Sequence, residues 1–424
     1  MIYDSMIVYL DNHSATKIDK DVLETMLPYL GEFYGNAQSL HDLGHKSKDA
    51  IEKARQQVAY LINSDPKEIV FTSCGSESNN LAIKGVALAY KEMAKHIIVS
   101  ALEHYSVLNS VEKLKKFFGF EYDILTVDRY GVVKLDELKR LLKEDTILVS
   151  VQLANPEIGT IQPIKEISKI IKEFNEQRKN RKITTFFHTD AVAGCGVINV
   201  DVMDLGVDLL SLSGSQFHGP KGAAALYIKK GIKITPQIDG GVQENNIRAG
   251  TENVACIVGL GKAAEIAKDN LEKNFQKMIY LRDKMISEIS NRIQYVYLNG
   301  HPTQRLPNNV NFSFEFVEGE SILLLLNSKG IYVTSGSACT SKSLKLSYVL
   351  EAIGVDPAVG QGSVTFTISK YTTEEEIDYL LKELPPIIDR LRSFSPLYSY
   401  FLKTGTRMQA GPGTDYEDFH SHSE

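Results

Sequence analysis

The chain has 424 residues, too many for one simple hydrophobic core, so a large domain and a smaller one are expected. With 43% hydrophobic and 24% charged residues it has the composition of a folded globular protein, which excludes disordered and collagen-like classes. Its net charge of −6, with Lys and Arg dispersed among acidic residues, argues against a nucleic-acid binder, because such proteins need a basic stripe.

The N-terminal sequence MIYDSMIVYLDNHSAT has no basic region and only a short apolar run, so no signal peptide is predicted. No apolar stretch reaches the roughly 20 residues that a membrane span needs. The cysteines lie far apart without a CxxC pair, which argues against a disulfide framework and a self-contained zinc site; they are Cys74, Cys195, Cys256 and Cys339. We therefore expect a cytoplasmic protein with reduced thiols.

Short β-branched runs alternate with helical stretches from about residue 68 to residue 230. The predicted strands are 68–72, 96–101, 146–151, 184–190, 208–213 and 224–230. Such alternation is typical of an α/β fold, in which a mostly parallel sheet is covered by helices on both faces. Ligands bind at the carboxyl ends of the strands in these sheets, and SCGSESNN, EHYS, NPEIG, HTDA and SGSQ all follow predicted strands.

The pattern changes beyond this region. A long helix is predicted over about 251–290, followed by mixed strand-like and helical segments that indicate a second, α+β domain. The pair Pro385 and Pro386 in the last predicted helix indicates a kink or bend. After about residue 403 the chain is polar and contains Gly, so it forms an extended arm or a disordered end.

Cys339 lies in the sequence SGSACTS, between the strand-like GIYV and a predicted helix. Because Gly and Ser make such a loop mobile, the Cys339 thiol is predicted to be accessible and reactive. A buried structural cysteine is the commoner fate of a free thiol, and that alternative suits Cys195 and Cys256, which lie in apolar or strand–helix contexts.

Further residues suit a cofactor, although each has an ordinary structural explanation. Gly75 and Ser76 open a helix, where free N–H groups and the helix dipole suit a phosphate, but Ser is also a common N-cap. Asp190 ends a buried strand and could hold a protonated ring nitrogen, and His104 could stack on a flat cofactor. A strand-end Asp often caps a helix, however, and a lone His is usually a satisfied polar group. Their shared place after strand ends strengthens the cofactor interpretation.

The order and spacing of the motifs resemble the cysteine desulfurases of the NifS/IscS type over almost the whole chain. The resemblance rests on YLDNHSAT, FTSCGSESNNLAIKG, EHYSVL, NPEIGTIQPI, HTDA, GPKG, RAGT, SGSACTS and TTEEEID. It implies the fold-type I architecture of pyridoxal-phosphate (PLP) transferases, with a mostly parallel seven-stranded sheet, and a homodimer. We expect a large domain over 15–262, a small α+β domain over 1–14 and 263–402 that carries Cys339, and a polar tail over 403–424.

Enzymes of this type take sulfur from L-cysteine, leave alanine, and hold the sulfur as a persulfide before passing it to a scaffold protein of the IscU type or to tRNA-thiolation proteins. The resemblance implies that Cys339 is the persulfide cysteine and that His104 stacks on the pyridine ring. It further implies that Asp190 pairs with the ring nitrogen and that Asn155 lies near the ring hydroxyl and the substrate. The implied phosphate contacts are Ser76 and Ser213, beside Gly75, together with Thr251 reaching across from the partner subunit.

Three positions depart from the family pattern. Gln216 occupies the place of the lysine that links covalently to PLP and moves the proton at the substrate α-carbon, and an amide does neither. Ala193 replaces a glutamine that faces the cofactor, and Thr365 replaces the arginine that grips the substrate carboxylate. Lys221 could substitute for the missing amine, but the family has a lysine there in addition to its catalytic one.

Two interpretations of the function remain open. The first is an active desulfurase that binds PLP non-covalently. The second is a weakly active or non-enzymatic sulfur carrier, in which Cys339 presents a persulfide loaded elsewhere, or serves as one ligand of a cluster shared with a scaffold protein that supplies the other ligands. Transamination is not favoured, because it also needs the lysine. The tail matches the region that reaches toward scaffold proteins in the family, or is an unstructured end.

Overall fold

The structure, a computed structural model, describes residues 6–180, 182–335 and 346–407. Cys339 and most of the predicted tail lie outside these residues. The strands are β1 (Val8–Tyr9), β2 (Ile69–Thr72), β3 (His96–Ser100), β4 (Glu121–Leu125), β5 (Thr146–Ser150), β6 (Phe186–Asp190), β7 (Leu209–Ser213), β8 (Ala224–Ile228), β9 (Val296–Leu298), β10 (Asn309–Phe314), β11 (Ile331–Tyr332) and β12 (Ser363–Thr367).

The helices cover both faces of the main sheet and one side of the smaller ones. They are α1 (Lys20–Gly31), α2 (Asp42–Ile62), α3 (Gly75–Ala89), α4 (Tyr105–Phe118), α5 (Leu135–Leu141), α6 (Ile164–Gln177), α7 (Val202–Leu205), α8 (Gln243–Asn246), α9 (Val254–Asp269), α10 (Leu271–Arg292), α11 (Gly319–Asn327), α12 (Tyr348–Ala352), α13 (Pro357–Gly360), α14 (Glu374–Ser393) and α15 (Pro396–Thr404).

The central sheet has seven strands in the order β2-β8-β7-β6-β5-β3-β4, and β8 alone runs antiparallel to its neighbours β2 and β7. Strands β3, β5, β7 and β8 are buried along their whole length, because their apolar runs face helices on both sides of the sheet. The predicted α/β fold with a mostly parallel seven-stranded sheet is confirmed.

Two apolar cores lie on opposite faces of this sheet. Along β3, Ile98 belongs to the core that includes α1, α2, α6 and α9, whereas Ile97 and Val99 belong to the core that includes α3 and α4. This alternation follows from the strand geometry, in which successive side chains point to opposite faces. Both faces are therefore closed, and the polar ligand-binding edge of the sheet is where its strands end.

A third core surrounds the antiparallel sheet β12-β10-β9 and the parallel pair β1–β11. It combines Val8 and Leu10 from the start of the chain with apolar side chains of α10 and α14. The helix predicted over 251–290 is two helices, because α9 ends and α10 begins at Asn270 (φ −110°, ψ 10°). The pair Pro385 and Pro386 lies inside α14, which spans Glu374–Ser393.

The end of the described chain packs on the small sheet. Helix α15 places Tyr398 and Phe401 against Phe316, with ring centroids 5.3 and 5.1 Å apart, and Arg407 pairs with the buried Glu315 at 2.6 Å. The tail predicted from residue 403 therefore begins inside a helix. None of the helices in the described part of the chain combines the length and apolar character that crossing a membrane requires.

Candidate active site

The carboxyl edge of the central sheet receives most of the predicted site residues. Asp190 and Ser213 are the last residues of β6 and β7, His104 is the N-cap of α4 after β3, and Gly75 is the first residue of α3 after β2. Asn155 follows β5. Because these strands end at the same edge, the side chains that follow them border one site.

Asp190 is the buried acid of this edge. Its Oδ2 accepts a hydrogen bond from Asn79 Nδ2 at 2.6 Å, and its Oδ1 accepts one from the Val192 N–H at 2.9 Å. The pKa of Asp190 is raised, because the effect of burial outweighs these hydrogen bonds and the charge of His104, which lower it. A buried carboxylate held by donors on one side is suited to pair with a protonated ring nitrogen on the other.

Glu103 and Asn79 lie beside Asp190 and were not predicted as site residues. Glu103 is fully buried, its Oε1 accepts a hydrogen bond from the Gln152 N–H at 2.6 Å, and its Oε2 has no partner among the described residues. Burial raises the pKa of Glu103 well above its usual range; the Gln152 N–H opposes the shift and the charge of Asp190 adds to it. The Oδ1 of Asn79 is likewise buried and unpaired within the described chain. Both residues lie in motifs that the sequence analysis had already selected, since Glu103 directly precedes His104 in EHYS and Asn79 lies in SESNN. That position in the sequence was the signal that could have identified them.

The imidazole of His104 is exposed at the edge of the site. Its Nδ1 accepts a hydrogen bond from the Ser106 N–H at 3.1 Å, and Ser106 Oγ in turn accepts one from Asn79 Nδ2 at 2.9 Å. His13, which the sequence analysis did not single out, is close enough to interact with His104 electrostatically. Burial, and secondarily the charge of His104, lowers the pKa of His13 to about 4, so His13 is neutral near pH 7.

The first turn of α3 contains the residues predicted to hold a phosphate, Gly75 and Ser76. A Cβ added to Gly75 would lie 2.8 Å from Val192 Cγ2, so a larger residue does not fit without a shift of Val192. Ser76 is exposed, and no side chain caps the N-terminus of α3. Free N–H groups at the start of this 15-residue helix suit an anion. Ser213 Oγ lies 3.1 Å from Ser215 Oγ.

Thr251 is exposed in the segment that follows α8, and it borders an open pocket of about 140 Å³ together with Ser73 and Arg248. Arg248 is fixed by Glu77, with 2.9 Å between Nε and Oε1, and Glu77 Oε2 accepts the Ser73 N–H at 2.8 Å. These contacts attach the Thr251 segment to the start of α3.

Gln216 ends a short 3-10 turn, Gly214–Gln216, directly after β7. The turn is held in place by Thr16, whose N–H and hydroxyl both donate to the Ser215 carbonyl at 2.9 Å, while Thr16 Oγ1 accepts the His218 N–H at 2.8 Å. Gln216 itself is half-buried and borders a small cavity of about 30 Å³. Lys221, the possible substitute amine, is exposed.

Thr365 and Ala193, the other two residues predicted to depart from the family pattern, both pack within the fold. Thr365 is buried on β12, and its hydroxyl accepts a hydrogen bond from Asn311 Nδ2 at 2.7 Å, so it contributes to a contact between neighbouring strands. Ala193 packs against the third core. Asn155 is buried, and its Oδ1 accepts the N–H groups of Glu157 and Ile158 at 2.9 and 3.0 Å, which shapes the NPEIG turn.

The three described cysteines differ in accessibility. Burial raises the pKa of the Cys195 and Cys256 thiols, in keeping with the structural role expected of them, whereas Cys74 is exposed at the N-terminus of α3. Cys339 lies outside the described residues. No group of three or more metal-ligating side chains is found in ranges 6–180, 182–335 and 346–407.

Comparison with known proteins identifies the family. Residues 8–380 match the family model described as Aminotransferase class-V. The chain is 52% identical over 389 residues to the cysteine desulfurase IscS of Dictyoglomus turgidum, covering 92% of this chain and 96% of the relative. It is 50% identical over 390 residues to the cysteine desulfurase IscS of Methanosarcina thermophila, with 92% and 94% covered.

A solved structure titled as a NifS-like protein superimposes with a TM-score of 0.84 at 40% identity, over 91% of this chain and 100% of that chain. This chain therefore belongs to the IscS and NifS-like cysteine desulfurases, within the PLP-dependent class-V aminotransferase family with fold-type I architecture.

Proposed function

We propose that this protein handles sulfur on Cys339, as a persulfide or a thiolate, and passes it to a scaffold protein that assembles iron–sulfur clusters. The observation that carries the proposal is Gln216, which ends the short turn after β7, where the family's lysine is expected; Thr16 fixes this turn. The chain thus retains the family's fold and its sulfur-carrying cysteine without the amine on which PLP chemistry in this family depends.

The retained residues fit part of the cofactor. Asp190 would hold the ring nitrogen of PLP, His104 would cover one ring face, and the first turn of α3 at Gly75 and Ser76 would hold the phosphate. PLP, when bound, supplies an electron sink for carbanion chemistry. Covalent attachment at Gln216 does not fit, because a carboxamide nitrogen is neither basic nor nucleophilic.

Thr365, at the position expected to bind the substrate carboxylate, supports the carrier function over the active enzyme. Thr365 has no charge with which to bind an amino-acid carboxylate, and its hydroxyl is engaged by Asn311 at 2.7 Å. A bidentate guanidinium–carboxylate pair has no threonine equivalent. We therefore infer that L-cysteine is bound weakly here and that the sulfur on Cys339 comes from an external persulfide donor.

A second candidate function is PLP-dependent cysteine desulfuration with non-covalent PLP, and the buried Asp190 favours it because it retains the group that holds the ring. In that reaction the sulfur of L-cysteine would be transferred to the Cys339 thiol, giving L-alanine and the Cys339 persulfide with no other reactant. Proton movement at the α-carbon would then need a base other than residue 216.

The partners follow from the same proposal. A homodimer is expected, with Thr251 of each subunit reaching the phosphate site of the other, since Thr251 is exposed in the single chain. The sulfur acceptor is a scaffold protein of the IscU type, which would supply the other ligands if Cys339 binds a shared cluster, since such clusters need about four. A cytoplasmic location is expected, because the dispersed cysteines suit a compartment in which thiols stay reduced.

Purified protein incubated with L-cysteine, with and without added PLP, tests the choice between the two functions. We expect no alanine above the amount that free PLP produces, and no cofactor absorption band that survives dialysis. A persulfide donor should add one sulfur atom to Cys339 by mass spectrometry, and Cys339→Ser should abolish cluster formation on the scaffold.

The matched variant Gln216→Lys should gain a dialysis-resistant cofactor band. Alanine release by the wild-type protein would support the second candidate, and borohydride trapping of PLP on Lys221 would show that Lys221 replaces the missing amine. If Cys339→Ser delivers sulfur as well as the wild type does, both functions are wrong.

A further inference from the structure

Asn79 joins the two groups that are proposed to contact the cofactor ring. Its Nδ2 donates one hydrogen bond to Asp190 Oδ2 at 2.6 Å and another to Ser106 Oγ at 2.9 Å. A side-chain amide has two N–H donors, so these two bonds use both of them. Ser106 is bonded in turn to His104. One side chain therefore contacts Asp190 directly and His104 through a single hydroxyl group.

The direction of the hydrogen bonds between Ser106 and His104 follows from the main chain. The Ser106 N–H can only donate, so His104 Nδ1, 3.1 Å away, accepts this bond and carries no proton. Ser106 Oγ lies 2.7 Å from the same Nδ1, so its hydroxyl hydrogen is also donated to the imidazole. The lone pairs of Ser106 Oγ remain available for the amide of Asn79, and all the bonds from Asn79 to His104 are mutually compatible.

The position of Asn79 on α3 explains why it reaches Asp190. Asn79 lies four residues after Gly75, so the two residues share one face of the helix. On this face, a Cβ added to Gly75 would lie 2.8 Å from Val192 Cγ2, and the Val192 N–H donates to Asp190 Oδ1 at 2.9 Å. The helix whose first turn is expected to hold the phosphate is therefore closely fitted to the end of β6.

The amide of Asn79 makes these bonds although its own oxygen stays unpaired. Asn79 is 1% exposed, and its Oδ1 has no hydrogen-bond partner among the described residues. Buried polar atoms are nearly always paired in folded proteins, because an unpaired atom loses its bonds to water without replacement. The orientation of this amide is therefore set by the two acceptors to which it donates.

We propose that Asn79 is a positioning residue for Asp190 and His104, which it holds directly and through Ser106. The inference rests on the proposed function, in which these two groups contact the cofactor ring. Asn79 and the Val192 N–H each hold one oxygen of Asp190, so the carboxylate cannot rotate without breaking one of these bonds. Without Asn79 the carboxylate keeps a single donor, and the two ring contacts lose their fixed arrangement.

Isothermal titration calorimetry with pyridoxamine 5′-phosphate tests this inference without relying on enzyme activity. This ligand has no aldehyde, so it binds non-covalently and cannot be trapped by Lys221. Benzyl phosphate is the second ligand, because it has a phosphate and a flat ring but no ring nitrogen for Asp190 to hold. Asn79→Leu should weaken the binding of pyridoxamine phosphate by about tenfold and that of benzyl phosphate by less, because only the first ligand depends on Asp190. Ser106→Ala releases only His104, so it should weaken both ligands by the same factor.

Asn175→Leu is the matched control. The Asn175 amide is half-buried in α6 and exchanges two hydrogen bonds of 2.9 Å with the main chain of Thr185, directly before β6. It fixes the start of this strand, whereas Asn79 contacts the end of the strand at the site. Asn175→Leu should leave the affinity for both ligands unchanged, and circular dichroism verifies that each variant is folded.

Three results would overturn the inference. Equal losses of both ligands in Asn79→Leu would show a general structural effect in place of a specific one on Asp190. A loss confined to pyridoxamine phosphate in Ser106→Ala would contradict the link to His104. Failure of the wild-type protein to bind pyridoxamine phosphate would show that the site does not take this ring. None of these results bears on sulfur transfer by Cys339, which Cys339→Ser tests separately.

Discussion

Removal of the Arg55 guanidinium should destabilise the protein strongly, because Arg55 and Glu244 form an almost fully buried ion pair. Arg55 Nη1 and Nη2 each lie 2.8 Å from a Glu244 carboxylate oxygen, and the two side chains are 10% and 5% exposed. Glu244 Oε2 also accepts the Phe71 N–H at 2.8 Å, which attaches the segment leading to Thr251 to strand β2.

The size of each loss in unfolding free energy depends on which charged group the substitution leaves buried without its partner. Arg55→Met leaves the Glu244 carboxylate buried with only the Phe71 N–H, and an uncompensated buried charge costs about 3–5 kcal/mol. Glu244→Leu leaves the Arg55 cation with the Ile69 carbonyl and the half-exposed Glu52 carboxylate, so it should also destabilise the protein, but by less than Arg55→Met does. The double variant buries no charge at this position. Its loss of unfolding free energy should therefore be at least about 2 kcal/mol smaller than the sum of the losses in the two single variants.

Equilibrium urea unfolding at one fixed protein concentration measures these differences, with tyrosine fluorescence as the probe because the chain has no tryptophan. Lys20→Met is the control: Lys20 and Glu24 are 3.7 Å apart but 84% and 60% exposed, and such a pair contributes less than about 1 kcal/mol. If the losses of Arg55→Met and Glu244→Leu simply add in the double variant, the two groups do not stabilise the fold as a pair.

Three further predictions concern carboxyl groups and pH. Burial raises the pKa of Asp19, but hydrogen bonds from Lys370 and Tyr371 outweigh this and lower the pKa to about 2. The resulting stability of about 2 kcal/mol is present above pH 4 and lost as the pH falls through 2, so Asp19→Asn should flatten the acid limb of a melting-temperature profile. Glu103→Gln should have the same free energy of unfolding as the wild type at pH 4 and a higher one at pH 8. The reason is that the pKa of Glu103 is raised well above 4.5 in the folded protein, so at pH 8 ionisation of Glu103 stabilises the unfolded state of the wild type more than its folded state. Burial raises the pKa of Glu157 to about 7, although the hydrogen bond from Ser347 opposes this shift. Between pH 4 and 7 the free energy of unfolding of the wild type should therefore fall by up to about 3 kcal/mol relative to that of Glu157→Gln. Urea midpoints of the two proteins that change in parallel with pH would contradict this prediction.

The fold was predictable where burial on both faces of the sheet produces continuous apolar runs. Strands β3, β5, β7 and β8 stand out in the sequence for that reason. Strand β4 was missed, because it lies at the edge of the sheet and its sequence EYDIL is mostly exposed or half-exposed. The antiparallel direction of β8 was not predictable either, because a continuous apolar sequence indicates a buried strand but does not indicate the direction in which that strand runs.

The site was predictable where a strand end sets the position of a residue. Asp190 and Ser213 end β6 and β7, and His104 follows β3 at the start of α4. The surroundings of Asp190 depend instead on residues distant in sequence, such as Asn79, whose amide lies 111 positions away along the chain. Glu103 reads as an ordinary acidic residue, and its complete burial follows only from the packing around it.

Two of the three departures that the family resemblance implies, those at Gln216 and Thr365, share one chemical consequence. The resemblance implies that Gln216 stands in place of the lysine that links to PLP and moves the substrate α-proton, and that Thr365 stands in place of the arginine that binds the substrate carboxylate. Asp190 and Cys339, which we propose to face the cofactor ring and to carry sulfur, are both present in the chain. Since Gln216 lies in a turn held by Thr16, and Thr365 is hydrogen-bonded within its sheet, neither change disturbs the fold around it. The chemistry that these two residues would not support is therefore specific to an amino-acid substrate, and this is why we propose that the sulfur reaches Cys339 from a persulfide donor.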